Sequence, residues 1–529
     1  MGRRLRYTGA ELVVKALQDY GIEHVFGYPG GAILPVYNCL PPRVHILVRH
    51  EQGAIHAAEG YARASGKIAV VLTTSGPGAT NLVTGLADAF ADSTPLLCIT
   101  GQVPSYAIGT KAFQETDIIT ISKPITKASY QITKAEQVYR TVIQALHTAL
   151  EGRPGPVLID ITKDAQLATS TCQPYRLIKP VYNIDVTEAA NIINQAHRPL
   201  ILAGQGVLIS NADITPLVSK GLPVVCTLLG LSCVPVEQCL GMIGLYGSPI
   251  ANEALEQCDV LLVIGARMDE RAIVKSITAK VIHVDIDSSE IGRLVPTVLG
   301  IVSDASLAIR QLTPVITSRE CWRQPVVVYR DYKPIMEMGD IADVLARQSS
   351  RTPSDTGSEN VLYHCSMSLR VADDPNIVTD IGQHQMVMAR YYPYRRPRCN
   401  ITSGGHGTMG FALPAAIGAY LATRMETIAV IGDGSFQMTL QELATVHEHK
   451  LPIKIIVVNN SRLGLVRQLE TKPDYYELTN PDFVALANSY SISADRVSDK
   501  ARLSEAIHTM LTCEGPYLLE VVVDNNEII

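Results

Sequence analysis

The sequence predicts an α/β protein made of three doubly wound parallel-sheet domains. Three observations lead there. The chain has 529 residues, enough for about three domains of ordinary size. Hydrophobic residues make up 47% and charged residues 18%, so large buried cores are available. Short apolar runs alternate with helix-like stretches along most of the chain, the pattern of parallel strands buried on both faces.

Each element follows from local chemistry. Leu12, Val13, Ala16, Leu17 and Tyr20 share one helical face, and Gly21 can end that helix in a left-handed conformation. A short strand, His24-Val25-Phe26, feeds the Gly-rich turn Gly27-Tyr28-Pro29-Gly30-Gly31. Apolar runs recur at 68–73, 95–100 and 156–161, and the first domain is read as 1–180, closing at Lys179-Pro180. A second domain, 181–335, holds strands at Pro199–Ala203, 260–265 and 280–284. These lead into Gly204-Gln205-Gly206, Ala266-Arg267-Met268-Asp269-Glu270-Arg271 and Asp285-Ile286-Asp287. Acidic residues at strand ends are where nucleotide riboses are often held. A tight turn without a ligand accounts for the Gly-x-Gly equally well. The stretch 336–360 reads as a linker because Ser, Thr, Pro and Gly cluster there. The third domain, 361–529, has strands at Asn376–Thr379, 428–431, 453–458 and 517–523.

Composition excludes several functions. A net charge of -6 and a few N-terminal arginines (Arg3, Arg4, Arg6) provide no concentrated basic face, so no nucleic-acid partner is expected. No run reaches the roughly 18 apolar residues of a membrane helix. Eleven cysteines lie scattered from Cys39 to Cys513 without a Cys-x-x-Cys pair, which argues against a zinc site or redox dithiol. Their odd number, with no secretory leader read at the start, predicts reduced thiols and a cytoplasmic location.

The chemistry concentrates in the third domain. The strand 428–431 runs into Gly432-Asp433-Gly434-Ser435, and Asn459-Asn460 follows the next strand. Asn460 follows Asp433 by 27 positions, an interval that fits a crossover returning to an adjacent parallel strand. Both side chains can then meet at the carboxyl edge of the sheet. A carboxylate, an amide oxygen and diphosphate oxygens form a hard-oxygen set suited to Mg2+. Glycines let backbone amides approach phosphate, and a helix after Ser435 would offer its N-terminus to the anion. A turn-forming Gly-Asp-Gly with an unrelated Asn-Asn is the alternative.

Gly-Asp-Gly followed by Asn-Asn at this interval resembles the thiamine-diphosphate motif. Further stretches are similar to acetohydroxyacid (acetolactate) synthases: 26–32 (FGYPGGA), 49–54 (RHEQGA), 74–86 (TSGPGATNLVTGL), 99–104 (ITGQVP), 152–156 (GRPGP), 382–386 (GQHQM), 407–414 (GTMGFALP) and 463–468 (LGLVRQ). They span nearly the whole chain in family order. The resemblance implies a pyrimidine-binding domain, a middle Rossmann-like domain and a diphosphate-binding domain. It implies a transferase that decarboxylates pyruvate and joins the remaining two carbons to a second 2-keto acid, as in branched-chain amino-acid biosynthesis. A relative with another acceptor or outcome, or a non-catalytic homologue, are the alternatives.

The resemblance also assigns roles. Glu51 would bond N1′ of the aminopyrimidine, favouring the imino tautomer that takes the C2 proton. Met409 would support the bent cofactor, or simply fill core. The Gly407 carbonyl would receive the 4′-amino group. Gln383, His384, Gly434 and Ser435 would hold the diphosphate. Asp433, Asn460 and the Arg462 carbonyl would hold Mg2+. Gly31, Phe113, Gln114 and Lys163 would line the reaction space. Arg271 would receive a substrate carboxylate, or pair with Asp269 or Glu270 on the surface. FAD is expected as a structural cofactor near Arg153, Gly204, Gly206, Arg267 and Asp285. A homo-oligomer is implied, homodimer or homotetramer, with the cofactor between the first domain of one subunit and the third of its neighbour. A regulatory subunit is a possible partner.

The pattern departs from the family around the substrate entrance. Leu469 stands where tryptophan, associated with 2-ketobutyrate preference, is usual. The stretch 469–479 is shorter than the family's capping loop, and the sequence ends at Ile529 without the Pro-rich tail. His406, Lys111 and Glu270 replace a leucine and two aspartates. The expectation is a carboligase with little preference for 2-ketobutyrate over pyruvate.

Overall fold

The computed structural model of the protein describes residues 6–172, 183–324, 337–349, 374–468 and 475–524. Three six-stranded parallel sheets carry the fold. The first has the order His45–Leu47, Val25–Tyr28, Ala69–Thr73, Leu96–Gln102, Pro156–Thr162, Ala128–Ile132. The second runs Cys239–Met242, Val224–Cys226, Pro199–Ala203, Val260–Ile264, Lys280–Asp285, Leu299–Val302. The third runs Asn400–Thr402, Asn376–Thr379, Thr427–Gly432, Lys454–Asn459, Tyr517–Val522, Ser493–Val497. The central strands are apolar on both faces because both faces are covered; Val70, Val71, Leu96, Leu97, Ile201 and Leu202 are fully buried.

Chain direction across each sheet reverses between one pair of neighbouring strands. Those pairs are Val25–Tyr28 with Ala69–Thr73, Pro199–Ala203 with Val260–Ile264, and Asn376–Thr379 with Thr427–Gly432. Connections leave such a pair in opposite directions, so the loops after the two strands flank a crevice at the carboxyl edge, where α/β proteins bind ligands. The loops here are Pro29–Gly31 and 74–78 in the first sheet, 204–206 and 265–268 in the second, and 380–384 and 433–435 in the third.

The chain packs as two compact units: Met1–Val181 with Ile401–Arg424 and Ser435–Ile453, and Tyr182–Asn400 with Met425–Gly434 and Lys454–Ile529. Two segments of the stretch 361–529 therefore pack with the N-terminal sheet. The cause is a helix pair. Glu51–Ser65 and Ala412–Thr423 meet through glycines, and a Cβ on Gly60 would lie 2.0 Å from the Ala415 carbonyl oxygen. A Cβ on Gly418 would lie 1.7 Å from the Ala57 carbonyl oxygen, so only glycine permits the approach from either side. Ala412–Thr423 is apolar around its whole circumference and correspondingly buried.

The stretch read as a linker is corrected in part. A helix spans Met338–Ser349, because Met338, Ile341, Ala342 and Leu345 recur at helical spacing and are all buried. Residues 350–360 lie outside the described residues.

Candidate functional site

In the first unit Glu51, the 30–32 turn and Gln114 pack around the turn 74–81. Glu51 is the first residue of the helix Glu51–Ser65. Its carboxylate accepts a hydrogen bond from Asn81 Nδ2 at 2.9 Å. Gly78 lies alongside, and a Cβ there would come within 3.3 Å of Glu51 Oε1. The 29–32 turn is held against the same loop: the Ala32 N–H donates to Thr74 Oγ1 at 3.3 Å, and a Cβ on Gly30 would meet Thr74 at 2.6 Å. Gly31 itself is exposed and faces open space. Gln114, in a left-handed conformation at φ 61, packs against Gly76, where a Cβ would be 3.0 Å from its own. Phe113 next to it is 88% exposed, a large apolar ring held in the open. Lys163 opens the short helix Lys163–Leu167, half-buried. Gly407 is exposed at φ 72 and Met409 half-buried, on the loop before Ala412–Thr423.

A buried acid holds the chain just before the Glu51 helix. Glu442 Oε1 accepts from the N–H groups of Arg49 at 3.0 Å and His50 at 3.1 Å, while Oε2 accepts from the Thr445 hydroxyl at 2.7 Å. Gly53 leaves it room, since a Cβ there would lie 2.4 Å from Glu442 Oε1. Burial pushes the Glu442 carboxyl above the ordinary glutamate range. The His50 ring accepts from the Gln52 N–H at 3.1 Å and completes the cap.

In the second unit the predicted residues meet at the crevice of the third sheet. Asp433 follows Thr427–Gly432 and opens the helix Asp433–Thr439, so Gly434 and Ser435 lie within the first turn of the helix expected to follow Ser435. The carboxylate itself organises that turn. Oδ1 accepts from the Gly434 N–H at 2.9 Å, and Oδ2 from the Ser461 N–H at 2.8 Å and Asn480 Nδ2 at 2.7 Å. Burial raises its pKa. Asn460 Oδ1 accepts from the Arg462 N–H at 3.1 Å, and its amide donates to Gln383 Oε1 at 3.5 Å. The turn carrying Arg462 is pinned from both sides, by Leu463 N–H to the Tyr476 carbonyl and Leu478 N–H to the Ser461 carbonyl, each 2.8 Å. Gln383 and His384 open the helix Gln383–Tyr391. Glycines make space for both. A Cβ on Gly464 would lie 1.9 Å from Gln383 Oε1, and one on Gly382 would lie 2.7 Å from the His384 ring.

These residues suit an anion and a hard cation. Burial lowers the His384 pKa to about 4, so the imidazole is neutral. Its Nε2 has no hydrogen-bond partner among the described residues. With the other ring nitrogen bonded to the Asp380 backbone, the Nε2 lone pair of the neutral ring accepts from a hydroxyl or water, and it can donate to an oxyanion only in the protonated ring. Asp433, Asn460 and a backbone carbonyl offer only oxygen, the preference of Mg2+, and a cation would offset the desolvation of Asp433.

The residues assigned to a flavin are already engaged in part. A Cβ on Gly204 would lie 2.0 Å from the Gly265 carbonyl oxygen, and one on Gly206 2.7 Å from Gly265 Cα. Their N–H groups donate to the Ile264 and Gly265 carbonyls at 2.9 and 3.0 Å. The Gly-x-Gly thus joins two loops and does not offer these two amides to a phosphate. The Arg153 guanidinium donates to Ser93 Oγ at 2.9 Å and the Ala91 carbonyl at 3.5 Å, near the end of the helix Val83–Ala91. Arg267 and Asp285 are both half-buried; Arg267 lies beyond the strand Val260–Ile264, and Asp285 is the last residue of the strand Lys280–Asp285. The Arg271 side chain is exposed and, among the described residues, forms no ion pair; Asp269 instead accepts its backbone N–H at 3.2 Å. Leu469 lies outside the described residues.

Sequence reasoning missed Asn81, Glu442 and Asn480. Asn480 bridges Asp433 Oδ2 and Asn459 Oδ1, the latter at 2.9 Å, and its place before Pro481 was a readable turn signal. Glu442 had none, because it acts 392 positions away from His50.

Comparison with known proteins defines the class. Residues 7–121, 186–312 and 380–521 match the N-terminal thiamine pyrophosphate (thiamine diphosphate) binding domain, the central domain and the C-terminal binding domain of thiamine pyrophosphate enzymes. The chain is a thiamine-diphosphate enzyme by class. It is 41% identical to acetolactate synthase isozyme 2 large subunit of Escherichia coli, covering 98% of this chain and 96% of that one. It is 40% identical to the acetolactate synthase large subunit of Lactococcus lactis, covering 98% and 93%. The chain therefore belongs to the acetolactate synthase large-subunit family. A Rhodococcus jostii thiamine diphosphate-dependent 4-hydroxybenzoylformate decarboxylase shares the fold, with TM-score 0.85 and 22% identity over 99% of this chain and all of that one.

Proposed function

We propose that the protein condenses two 2-keto acids: pyruvate loses CO2, and its remaining two carbons join the keto carbon of a second pyruvate. Two pyruvate anions and one proton give one 2-acetolactate anion and one CO2. The observation that carries the reading is the Glu51 carboxylate, held by Asn81 at the start of a helix whose preceding amides, of Arg49 and His50, are bound by Glu442, in a chain about 40% identical to acetolactate synthases over its length.

Thiamine diphosphate, when bound, supplies the electron sink for decarboxylation. Glu51 holds a proton at N1′ of its aminopyrimidine. The Gly407 carbonyl accepts from the 4′-amino group, and Met409 supports the ring. Gln383, His384, Gly434 and Ser435 bind the diphosphate. Asp433, Asn460 and the Arg462 carbonyl bind Mg2+. Gly31, Phe113, Gln114 and Lys163 orient the acceptor and exclude water, and Arg271 receives its carboxylate. FAD sits in the second domain at Arg267 and Asp285, takes no part in the net reaction, and gains nothing from the Gly204 and Gly206 amides. The domains are 1–180 for the pyrimidine, 181–335 for FAD and 361–529 for the diphosphate. The working form is a cytoplasmic homo-oligomer, with a regulatory subunit as a further partner. Leucine at 469 in place of tryptophan leaves the acceptor's extra methyl in 2-ketobutyrate weakly held, and one methylene is worth about 1–3 kcal/mol.

One incubation tests this. The protein receives Mg2+, thiamine diphosphate and a mixture of pyruvate and 2-ketobutyrate, and the products are identified. 2-Acetolactate should form, with no strong excess of the 2-ketobutyrate product. Acetaldehyde or acetate alone, or no turnover, overturns the proposal.

A further inference from the structure

The first unit contains a buried polar cluster that the chemistry above does not use. It lies on the helix Glu51–Ser65, twelve residues below Glu51, counting from Glu51 to Arg63. The Arg63 guanidinium donates to Asp92 Oδ2 and to the Thr402 carbonyl, both at 2.6 Å. Asp92 in turn accepts from the N–H groups of Gly404 at 2.7 Å and Gly405 at 2.6 Å. Ser403 donates to Asp88 Oδ1 at 2.7 Å and accepts from the Thr408 N–H at 2.9 Å. Asp88, Asp92 and Ser403 are at most 1% exposed. Residues 402–405 are thus tied, through both main chain and side chain, to Arg63, Asp88 and Asp92, and Thr408 is tied back to Ser403. Gly407 is carried on that turn, and Met409 follows it directly.

We infer that Ser403, Asp88, Asp92 and Arg63 are positioning residues for thiamine diphosphate, holding the 402–408 turn in the shape that presents Gly407 and Met409. The inference rests on the proposed cofactor contacts of those two residues. Three features support it. The turn has glycines at 404, 405 and 407, so the chain itself is loose, and its shape is imposed from outside. The helix that follows is locked independently by the Gly60 and Gly418 contacts, so the turn is fixed at both ends. Arg63 also packs over the Phe411 ring at 5.4 Å, just after the turn.

A cation site explains the cluster less well. Ligand atoms of His56, Glu59 and Asp88 do lie within 4.8 Å of one another. But the Arg63 guanidinium already supplies the positive charge, 3.6 Å from Glu59 Oε2. Burial drives Glu59 and Asp88 well above the ordinary acid range, which disfavours the charged form a cation would need. Asp88→Asn is a conservative control, because asparagine keeps a carbonyl oxygen for the Ser403 hydroxyl to bond.

The test measures thiamine diphosphate binding by the full-length holoenzyme and its variants, with turnover of pyruvate alongside. Ser403→Ala should raise the half-saturating cofactor concentration about tenfold, the equivalent of one well-made buried hydrogen bond. Turnover at saturating cofactor should fall much less. Asp88→Asn should bind the cofactor within about twofold of the unmodified protein. Amide hydrogen exchange on unmodified cofactor-free protein gives a check that needs no variant: the Gly404, Gly405 and Thr408 amides should be protected. Unchanged cofactor affinity in Ser403→Ala, or free exchange of those amides, overturns this inference alone. Failure of the unmodified protein to bind thiamine diphosphate overturns it together with the proposed cofactor site.

Discussion

Replacing Glu442 separates its structural role from its charge. In Glu442→Ala the N–H groups of Arg49 and His50, half-buried just before the helix, lose their acceptor. Leaving a buried donor unsatisfied costs about 1–3 kcal/mol, so two cost about 2–6 kcal/mol together at most. Turnover should fall as well, since Glu51 follows His50 directly and a displacement near 1 Å can cost on the order of 100-fold. Glu442→Gln should cost about 1 kcal/mol or less, because its carbonyl can replace Oε1 and its amide can donate to Thr445. The pH dependence gives the sign. The folded carboxyl titrates above its unfolded value. Its contribution is therefore fully present below the ordinary glutamate pKa and is lost as pH rises through the folded one. Relative to the unmodified protein, Glu442→Gln should gain stability between about pH 5 and about pH 8. Urea unfolding at the two pH values, with pyruvate consumption alongside, measures this. An alanine variant as stable as the unmodified protein, or a glutamine variant that loses ground with rising pH, would refute the reasoning.

Three further outcomes are expected. Gly418→Ala forces apart two buried helix backbones and should destabilise by at least about 3 kcal/mol, read as a fall in melting temperature. Asp433→Ala should abolish Mg2+-dependent binding of thiamine diphosphate by calorimetry, since the carboxylate both offers the metal an oxygen and fixes Ser461 and Asn480. Purified protein should be yellow and release FAD on denaturation; a colourless protein that is fully active after reconstitution trials contradicts the flavin.

What the sequence makes legible is local. A parallel strand delivers the loop after it to the carboxyl edge, so Gly30-Gly31, 74–78, His384 and Asp433 could be placed at strand ends from hydrophobic periodicity and glycine alone. All of them flank crevices where sheet direction reverses. What escapes depends on distant partners. Ala412–Thr423 is apolar all round and gives no face to orient, so its packing on Glu51–Ser65 rests on single glycines in each helix. Glu442 looks like any acid on a helix until Gly53 is seen to make room for it. The Gly204-Gln205-Gly206 motif is ambiguous locally, and the close Gly265 backbone shows that it joins two loops. Met338–Ser349 lay hidden beside a Ser- and Thr-rich run that starts only where the helix ends.

The central claim is that Glu51 governs the proton at C2 of the cofactor. Deuterium exchange at that carbon, followed in protein-bound thiamine diphosphate, measures it directly. The unmodified protein should exchange the proton far faster than free cofactor, while Glu51→Gln should still bind the cofactor and lose most of that acceleration. Equal exchange rates in the two proteins, with the cofactor bound in both, would contradict the claim.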